Sequence, residues 1–142
     1  MGLERYLKAH ELDYEKALTE IKNGHKETHW IWYIFPQLKY LGSSEMSIYY
    51  SFDSLEEAKE YLNNDILRNH LMEILDALLK LPNDNIAEIL GIRDNLKLHS
   101  CLTLFLYLEP DNILLKKVLD KYYHGIPDQN TLNLIKVLKK EK

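Results

Sequence analysis

Apolar residues recur three or four positions apart along most of the chain, and this spacing predicts a protein built from α-helices. The clearest run lies at residues 65–79, where leucine and isoleucine repeat at helical intervals. Capping signals precede other runs: Ser54 with Glu57 forms a capping box, and Asp128 precedes the last amphipathic segment. We therefore predict an all-α fold, with about six to eight helices in a single compact domain spanning residues 1–142.

Two segments are ambiguous by periodicity alone. Residues 96–108 carry leucine at nearly every even position, which suits a strand as well as a buried helix. Because this segment is longer than a typical strand and leucine favours helices, we predict a central apolar helix near residues 94–108. The conformation of residues 42–52 is left open between strand, loop and helix.

Charge and cysteine content narrow the classes of function. The net charge of −4 argues against nucleic-acid binding, which draws its affinity from lysine and arginine on phosphates. The single cysteine, Cys101, has no partner for an internal disulfide, which fits a reducing compartment. No apolar stretch approaches the ~20 residues of a membrane span, and no signal region is evident. We expect a soluble, cytoplasmic protein without membrane association, whereas cofactor and oligomeric state are not indicated.

The most unusual segment is an aromatic block at residues 29–37, which reads His-Trp-Ile-Trp-Tyr-Ile-Phe-Pro-Gln and holds both tryptophans of the chain. Such side chains pack well in a core, where an indole buries a large area and its N–H finds a partner. They also form stacking walls in ligand sites and hot spots in protein interfaces. The sequence leaves these three readings open.

Two histidines raise the question of a metal site. His25 and His29 lie four residues apart, a spacing that places metal ligands on one face of a helix. The intervening glutamate is out of register with the metalloprotease pattern, and Gly24 indicates a helix break. Since no third ligand is apparent, we predict no metal site.

A polar stripe runs along the predicted central helix. Lys97, Ser100 and Thr103 fall on one side of it at ~100° per residue. Buried polar groups need partners, so the hydroxyls either bond back to their own helix or line a pocket. In a pocket, Lys97 would be the contact for an anion.

These patterns together suggest a pocket in which the aromatic block faces the polar stripe. The ligand would be flat and anionic, such as a nucleotide or an NAD-derived compound, with charge neutralised by Lys97 and proton transfer available from His29. His29 and Lys97 are thus the catalytic candidates, although the residues leave open whether the protein is an enzyme. The alternatives are a protein-interaction module with an aromatic hot spot and a purely structural domain. The candidate ligand-binding residues are His29, Trp30, Trp32, Gln37, Lys97, Ser100 and Thr103.

Three blocks of the sequence resemble one known family. They are residues 29–37 followed by Leu41-Gly42, then Gly91, Asp94, Lys97-Leu98, Ser100 and Thr103–Phe105, then Leu119–Tyr122 with Gly125, Asp128 and Thr131-Leu132. Together they resemble a bacterial family catalogued as domain of unknown function 1810. His99, Cys101, Leu102 and His124 stand where that family has arginine, serine, methionine and glycine.

The resemblance implies a compact helical domain and no established activity. Members of the family are often labelled calpastatin-like. Calpastatins are disordered, proline-rich inhibitors, whereas this chain has 4 prolines and a hydrophobic content of 46%. We therefore reject protease inhibition as a function.

Overall fold

The computed structural model describes residues 2–140, and within that range the chain forms nine helices and no strand. The all-α fold class is confirmed. The helix number exceeds six to eight because two helices, of 4 and 6 residues, are too short to show an amphipathic period. No helix in this range is both long and apolar enough to cross a membrane. The helices are α1 (Glu4–Lys22), α2 (Ile31–Ile34), α3 (Glu45–Tyr50), α4 (Leu55–Asn63), α5 (Asp65–Leu79), α6 (Ile86–Leu90), α7 (Asp94–Leu108), α8 (Ile113–Tyr123) and α9 (Gln129–Lys140).

Both predicted N-caps form, but the Glu57 side chain accepts from the Asp53 N–H at 3.1 Å and not from the Ser54 N–H of a capping box. Ser54 Oγ accepts a hydrogen bond of 3.1 Å from the Glu57 backbone N–H at the start of α4. Asp128 Oδ2 accepts one of 3.0 Å from the Thr131 N–H at the start of α9. Each bond satisfies a backbone donor that the first turn of a helix leaves unpaired. The start of α9 is thereby fixed beside α7.

The predicted central helix is confirmed as α7, with the bounds Asp94–Leu108. It packs against α2, α4, α6, α8 and α9, so that neighbours surround most of its circumference. Cys101 is fully buried within it, and burial raises the pKa of its thiol well above the ordinary value. A thiol so protonated and enclosed is a core residue rather than a nucleophile.

Residues 42–52, left open by the sequence, form a loop followed by the short helix α3. Ser44 caps α3 by accepting from the Ser47 N–H over 3.1 Å. A parallel bridge between Leu38 and Phe52 closes the segment. The buried Arg5 fastens it to α1, since its guanidinium donates to the backbone oxygens of Tyr49 at 2.8 Å and of Ser51 at 3.0 Å. The segment is therefore held in place on both sides of its short helix.

Candidate functional site

A cleft of about 350 Å³ lies where three parts of the chain meet. Its walls come from residues 37–42, from the start of α7 at residues 93–100, and from the start of α9 at residues 128–130. We call it the Lys97 cleft, after the cation that lines it. Its volume is at the lower end of the range found for small-molecule sites.

The Gln37 side chain is the most informative group in this cleft. Gln37 is only 8% exposed, yet its amide makes no hydrogen bond with any residue in the range 2–140. No fully enclosed side-chain polar atom in that range lacks a partner, so the amide is open to the cleft. Side chains as buried as Gln37 normally pair their polar atoms with other protein groups, whereas this amide is left to solvent. It is available to a ligand.

Close packing holds Gln37 in position. A Cβ atom added at Gly42 would lie 2.6 Å from Ser47 Cβ and 3.3 Å from the Gln37 side-chain nitrogen. Only glycine allows this approach of the loop to α3 and to the amide. The Gln37 side chain is consequently confined beside the loop before any ligand arrives.

Two cations line the cleft, and neither is strongly paired. The Arg93 side chain is exposed and makes no ion pair or hydrogen bond with the described part of the chain. Lys97 Nζ lies 3.7 Å from Asp94 Oδ1, which is a weak contact. Asp94 is held more closely by Lys26, whose Nζ lies 2.8 Å from Oδ2. Lys97 is thus free to turn towards an anion without leaving Asp94 unpaired.

The predicted polar stripe divides between the cleft and the core. Ser100 lines the cleft, where its hydroxyl lies 3.1 Å from the Leu96 carbonyl oxygen and 3.4 Å from Asp128 Oδ2. Thr103 is only 3% exposed, donates to the His99 carbonyl oxygen at 2.8 Å and accepts from the Asp128 N–H at 2.8 Å. Thr103 therefore joins α7 to α9 and does not line the cleft.

The two tryptophans of the aromatic block have different surroundings. Trp30 is fully buried, and its Nε1–H donates to the Glu20 carboxylate, away from the cleft. Trp32 is half-buried and lines a narrow crevice of about 10 Å³ that shares Gln37 and Lys97 with the cleft. A space of that size holds about one water molecule. The indole of Trp32 therefore lies near Lys97, but it leaves no room for a stacked base.

The histidines of the aromatic region lie outside the cleft. His29 and His25 are both exposed, and neither contributes to the walls. Among residues 2–140, no three histidine, cysteine, aspartate or glutamate side chains are grouped as metal ligands. The structure thus brings Gln37, Lys97 and Ser100 together, with Trp32 beside them, and places His29, Trp30 and Thr103 elsewhere.

Sequence reasoning missed several residues of the cleft. Arg93 lies four residues before Lys97, so one helical face carries Arg93, Lys97 and Ser100. That spacing was a usable signal, since it extends the polar stripe by one turn. Asp128 and Asn130 carried no such signal, because only the packing of α9 on α7 brings them to the cleft.

The chemistry that this arrangement supports is binding. The cleft offers two cations, a confined amide and two leucine side chains, Leu41 and Leu96. Its only carboxylate, on Asp128, caps α9 and accepts from the Thr131 hydroxyl at 2.6 Å and the Ser100 hydroxyl at 3.4 Å. No imidazole or thiol lines the described walls. Charge neutralisation and hydrogen bonding are available, whereas a free general base is not.

Comparison with known proteins gives two matches. The model of the family described as "Protein of unknown function (DUF1810)" matches residues 1–135. The fold is similar to the crystal structure of the conserved hypothetical protein Rv1873 from Mycobacterium tuberculosis, with a TM-score of 0.91 and 38% sequence identity. That similarity covers 94% of this chain and 96% of the mycobacterial one. No curated protein matches the sequence significantly.

Proposed function

The chain belongs to the DUF1810 family of proteins of unknown function, and we propose that it binds a small anionic ligand in the Lys97 cleft. One observation carries this proposal: Gln37 is only 8% exposed, and its side-chain amide has no partner in the described chain and opens beside Lys97. An amide that faces a confined cleft without a protein partner can pair with a ligand that displaces water from it. The nearby cations, Arg93 and Lys97, indicate that the ligand is negatively charged.

The nature of the ligand follows in part from the walls. A nucleotide or NAD-derived compound, the class suggested by the aromatic block, would place its phosphate near Arg93 and Lys97. Its base would lie against Leu41 and Leu96, since the Trp32 crevice is too narrow to admit a ring. The reaction suggested for His29 has no support from the cleft, so the proposal concerns binding alone.

The alternative of a protein-interaction hot spot has weaker support. A hot-spot tryptophan presents its ring and N–H to the partner, whereas the Trp30 ring is buried and its N–H is bonded. A purely structural role for the domain gives no function to the cleft in which Gln37, Arg93 and Lys97 converge. Anion binding accounts for the amide and for the loosely held Lys97.

A thermal-shift experiment tests the proposal. Inorganic phosphate, AMP, NAD and short carboxylates are screened against the protein, with Lys97→Ala as the test variant and Lys116→Ala as the control. Lys116 is an exposed lysine on α8 that does not line the cleft. We expect at least one anion to raise the melting temperature of the wild-type protein and of Lys116→Ala, but not of Lys97→Ala.

Lys97→Ala should leave the melting temperature of the ligand-free protein nearly unchanged. Its one ion pair is long, and such partly exposed pairs contribute about 0–1 kcal/mol. If the ligand-free Lys97→Ala protein is strongly destabilised, Lys97 is a structural residue and the proposal is wrong. A shift that survives in Lys97→Ala would also place the anion outside the cleft.

A further inference from the structure

We infer that the Lys97 cleft recognises a carboxylate attached next to an amide, the arrangement found in an N-acylated amino acid and at the C-terminus of a polypeptide. This inference rests on the proposed anion site and specifies its ligand. It draws on three properties of the walls: the balance of charge, the confined Gln37 amide and the aliphatic surface between them.

The balance of charge favours an anion with a single negative charge. Asp94 lies 3.7 Å from Lys97, and the Asp128 carboxylate lines the cleft on the α9 side. With Lys26, which pairs with Asp94 at 2.8 Å, the three cations exceed these two carboxylates by one positive charge. A phosphate monoester carries up to two negative charges and meets more repulsion than a carboxylate does. The planar guanidinium of Arg93 also matches a carboxylate by two parallel hydrogen bonds.

The Gln37 amide selects for a group of complementary chemistry. A primary amide has one acceptor oxygen and two donor hydrogens, and a secondary amide in the ligand offers one donor and one acceptor in return. Because Gly42 lies close to the amide nitrogen and Gln37 is only 8% exposed, the side chain has little room to turn away when the ligand lacks such a pair. A ligand without an amide therefore leaves Gln37 unpaired, which lowers affinity.

The remaining wall is aliphatic. Leu96 is 60% exposed and Leu41 is half-buried, and both line the cleft. No aromatic ring lines the described walls, so they offer no surface for stacking. A branched aliphatic side chain, placed between the carboxylate and the amide, would cover these leucines. N-acetyl-L-leucine combines all three groups.

Isothermal titration calorimetry with N-acetyl-L-leucine tests the inference. Two related compounds test the polar groups of N-acetyl-L-leucine separately: N-acetyl-L-leucinamide lacks the carboxylate, and 4-methylpentanoate lacks the amide. We expect no measurable binding of the first. The second should bind about five- to tenfold more weakly than N-acetyl-L-leucine, the effect of one lost neutral hydrogen-bonding partner.

A variant separates Gln37 from the rest of the cleft. Gln37→Met keeps the length of the side chain and removes the amide, so it should bind N-acetyl-L-leucine no better than 4-methylpentanoate. It should bind 4-methylpentanoate more tightly than the wild-type protein does, because it has no amide for that ligand to leave unpaired. If Gln37→Met does not fold, the wild-type comparison decides: equal affinities for the two carboxylates overturn the inference.

Two further arms identify the source of the ligand and separate this inference from the proposed anion site. The peptide acetyl-Ala-Ala-Leu with a free carboxyl end should bind more than tenfold more tightly than N-acetyl-L-leucine if the ligand is a polypeptide terminus, and equally if it is a small acylated amino acid. If phosphate or AMP binds and this binding is lost in Lys97→Ala, but N-acetyl-L-leucine does not bind, the inference is wrong and the proposed anion site stands. If none of these anions binds, both the inference and the proposed anion site are wrong.

Discussion

Trp30 Nε1 donates a hydrogen bond of 2.8 Å to Glu20 Oε1, and this bond fixes the aromatic block to α1. The same carboxylate accepts from the Glu27 N–H at 2.8 Å, the Thr28 N–H at 3.0 Å and the Thr28 hydroxyl at 2.6 Å. Glu20 is only 8% exposed. One buried carboxylate thus organises the loop between α1 and α2, and the most conspicuous ring of the sequence serves as an anchor.

We predict that Glu20→Ala lowers the free energy of unfolding by about 1–3 kcal/mol, because it leaves the buried Trp30 indole N–H without a partner. Urea denaturation followed by tryptophan fluorescence measures the change. The matched control is Glu27→Ala, since the Glu27 side chain is exposed in the same loop. Equal denaturation midpoints for the two variants would show that the carboxylate does not hold Trp30.

A second buried polar cluster joins α1 to α5. His10 is 3% exposed, its Nε2 lies 2.7 Å from the Tyr33 carbonyl oxygen, and its Nδ1 lies 3.0 Å from His70 Nδ1. Since a carbonyl oxygen only accepts, Nε2 carries the proton and Nδ1 accepts from His70. Burial lowers the pKa of His10 to about 4, the Tyr33 bond opposes that change, and the His70 charge adds to it.

This cluster should make stability depend on pH. In the unfolded chain His10 has the ordinary pKa of 6.5, so between pH 6.5 and about 4 the unfolded state binds a proton that the folded state excludes. The free energy of unfolding should therefore fall as pH falls through that window. Burial also lowers the pKa of His70, against the nearby charges of Glu73 and Glu15, so His70 contributes in the same direction.

Replacing His10 by glutamine should flatten the dependence of stability on pH between 6.5 and 4, since glutamine does not titrate and retains a donor for Tyr33. The denaturation midpoint is measured across this range, with His29→Gln as the control because His29 is exposed. Burial raises the pKa of Glu20, but hydrogen bonds led by that of Thr28 overcome this effect and hold it at about 2. Glu20 therefore adds a loss of stability of its own below its ordinary pKa of 4.5, at the acid end of this range, and it does so equally in the wild type and both variants. Parallel curves for His10→Gln and wild type would contradict the prediction.

His124 occupies a backbone conformation that favours glycine. Its φ is +56°, and it ends α8 in the left-handed region. A residue with a Cβ atom in this region destabilises the folded state by about 1–2 kcal/mol. Glycine avoids this cost, but part of the gain is lost because glycine has more conformational entropy in the unfolded chain. We predict that His124→Gly raises the free energy of unfolding by up to about 1 kcal/mol in a denaturation experiment. A lower value than wild type would show that the histidine makes a compensating contact.

Much of the fold was predictable because it depends on local patterns. The helix Asp94–Leu108 and the caps Ser54 and Asp128 follow from spacing and residue type within a few positions. The pairing of Arg5 with Glu57, at 3.1 Å, did not follow, because the two residues are separated by 52 positions and no local pattern links them.

The candidate site was predictable only in part, for the same reason. Gln37, Lys97 and Ser100 were expected to share a pocket because they needed polar partners, and they do line one cleft. The position of Trp30 depended on Glu20, and that of His29 on the direction of the loop before α2; sequence spacing reports neither. Asp128 reaches the cleft through a tertiary contact of α9 with α7.

Anion binding in the Lys97 cleft is tested most directly by nuclear magnetic resonance of ¹⁵N-labelled protein, through the side-chain NH₂ signals of Gln37. Acetate, inorganic phosphate and AMP are titrated separately into the wild-type protein, Lys97→Ala and Lys116→Ala. We predict that at least one anion moves the Gln37 NH₂ and Lys97 backbone signals to saturation in the wild type and in Lys116→Ala, with no such change in Lys97→Ala. Gln37 signals that stay in place with all three anions, or that move equally in Lys97→Ala, would contradict anion binding at this site.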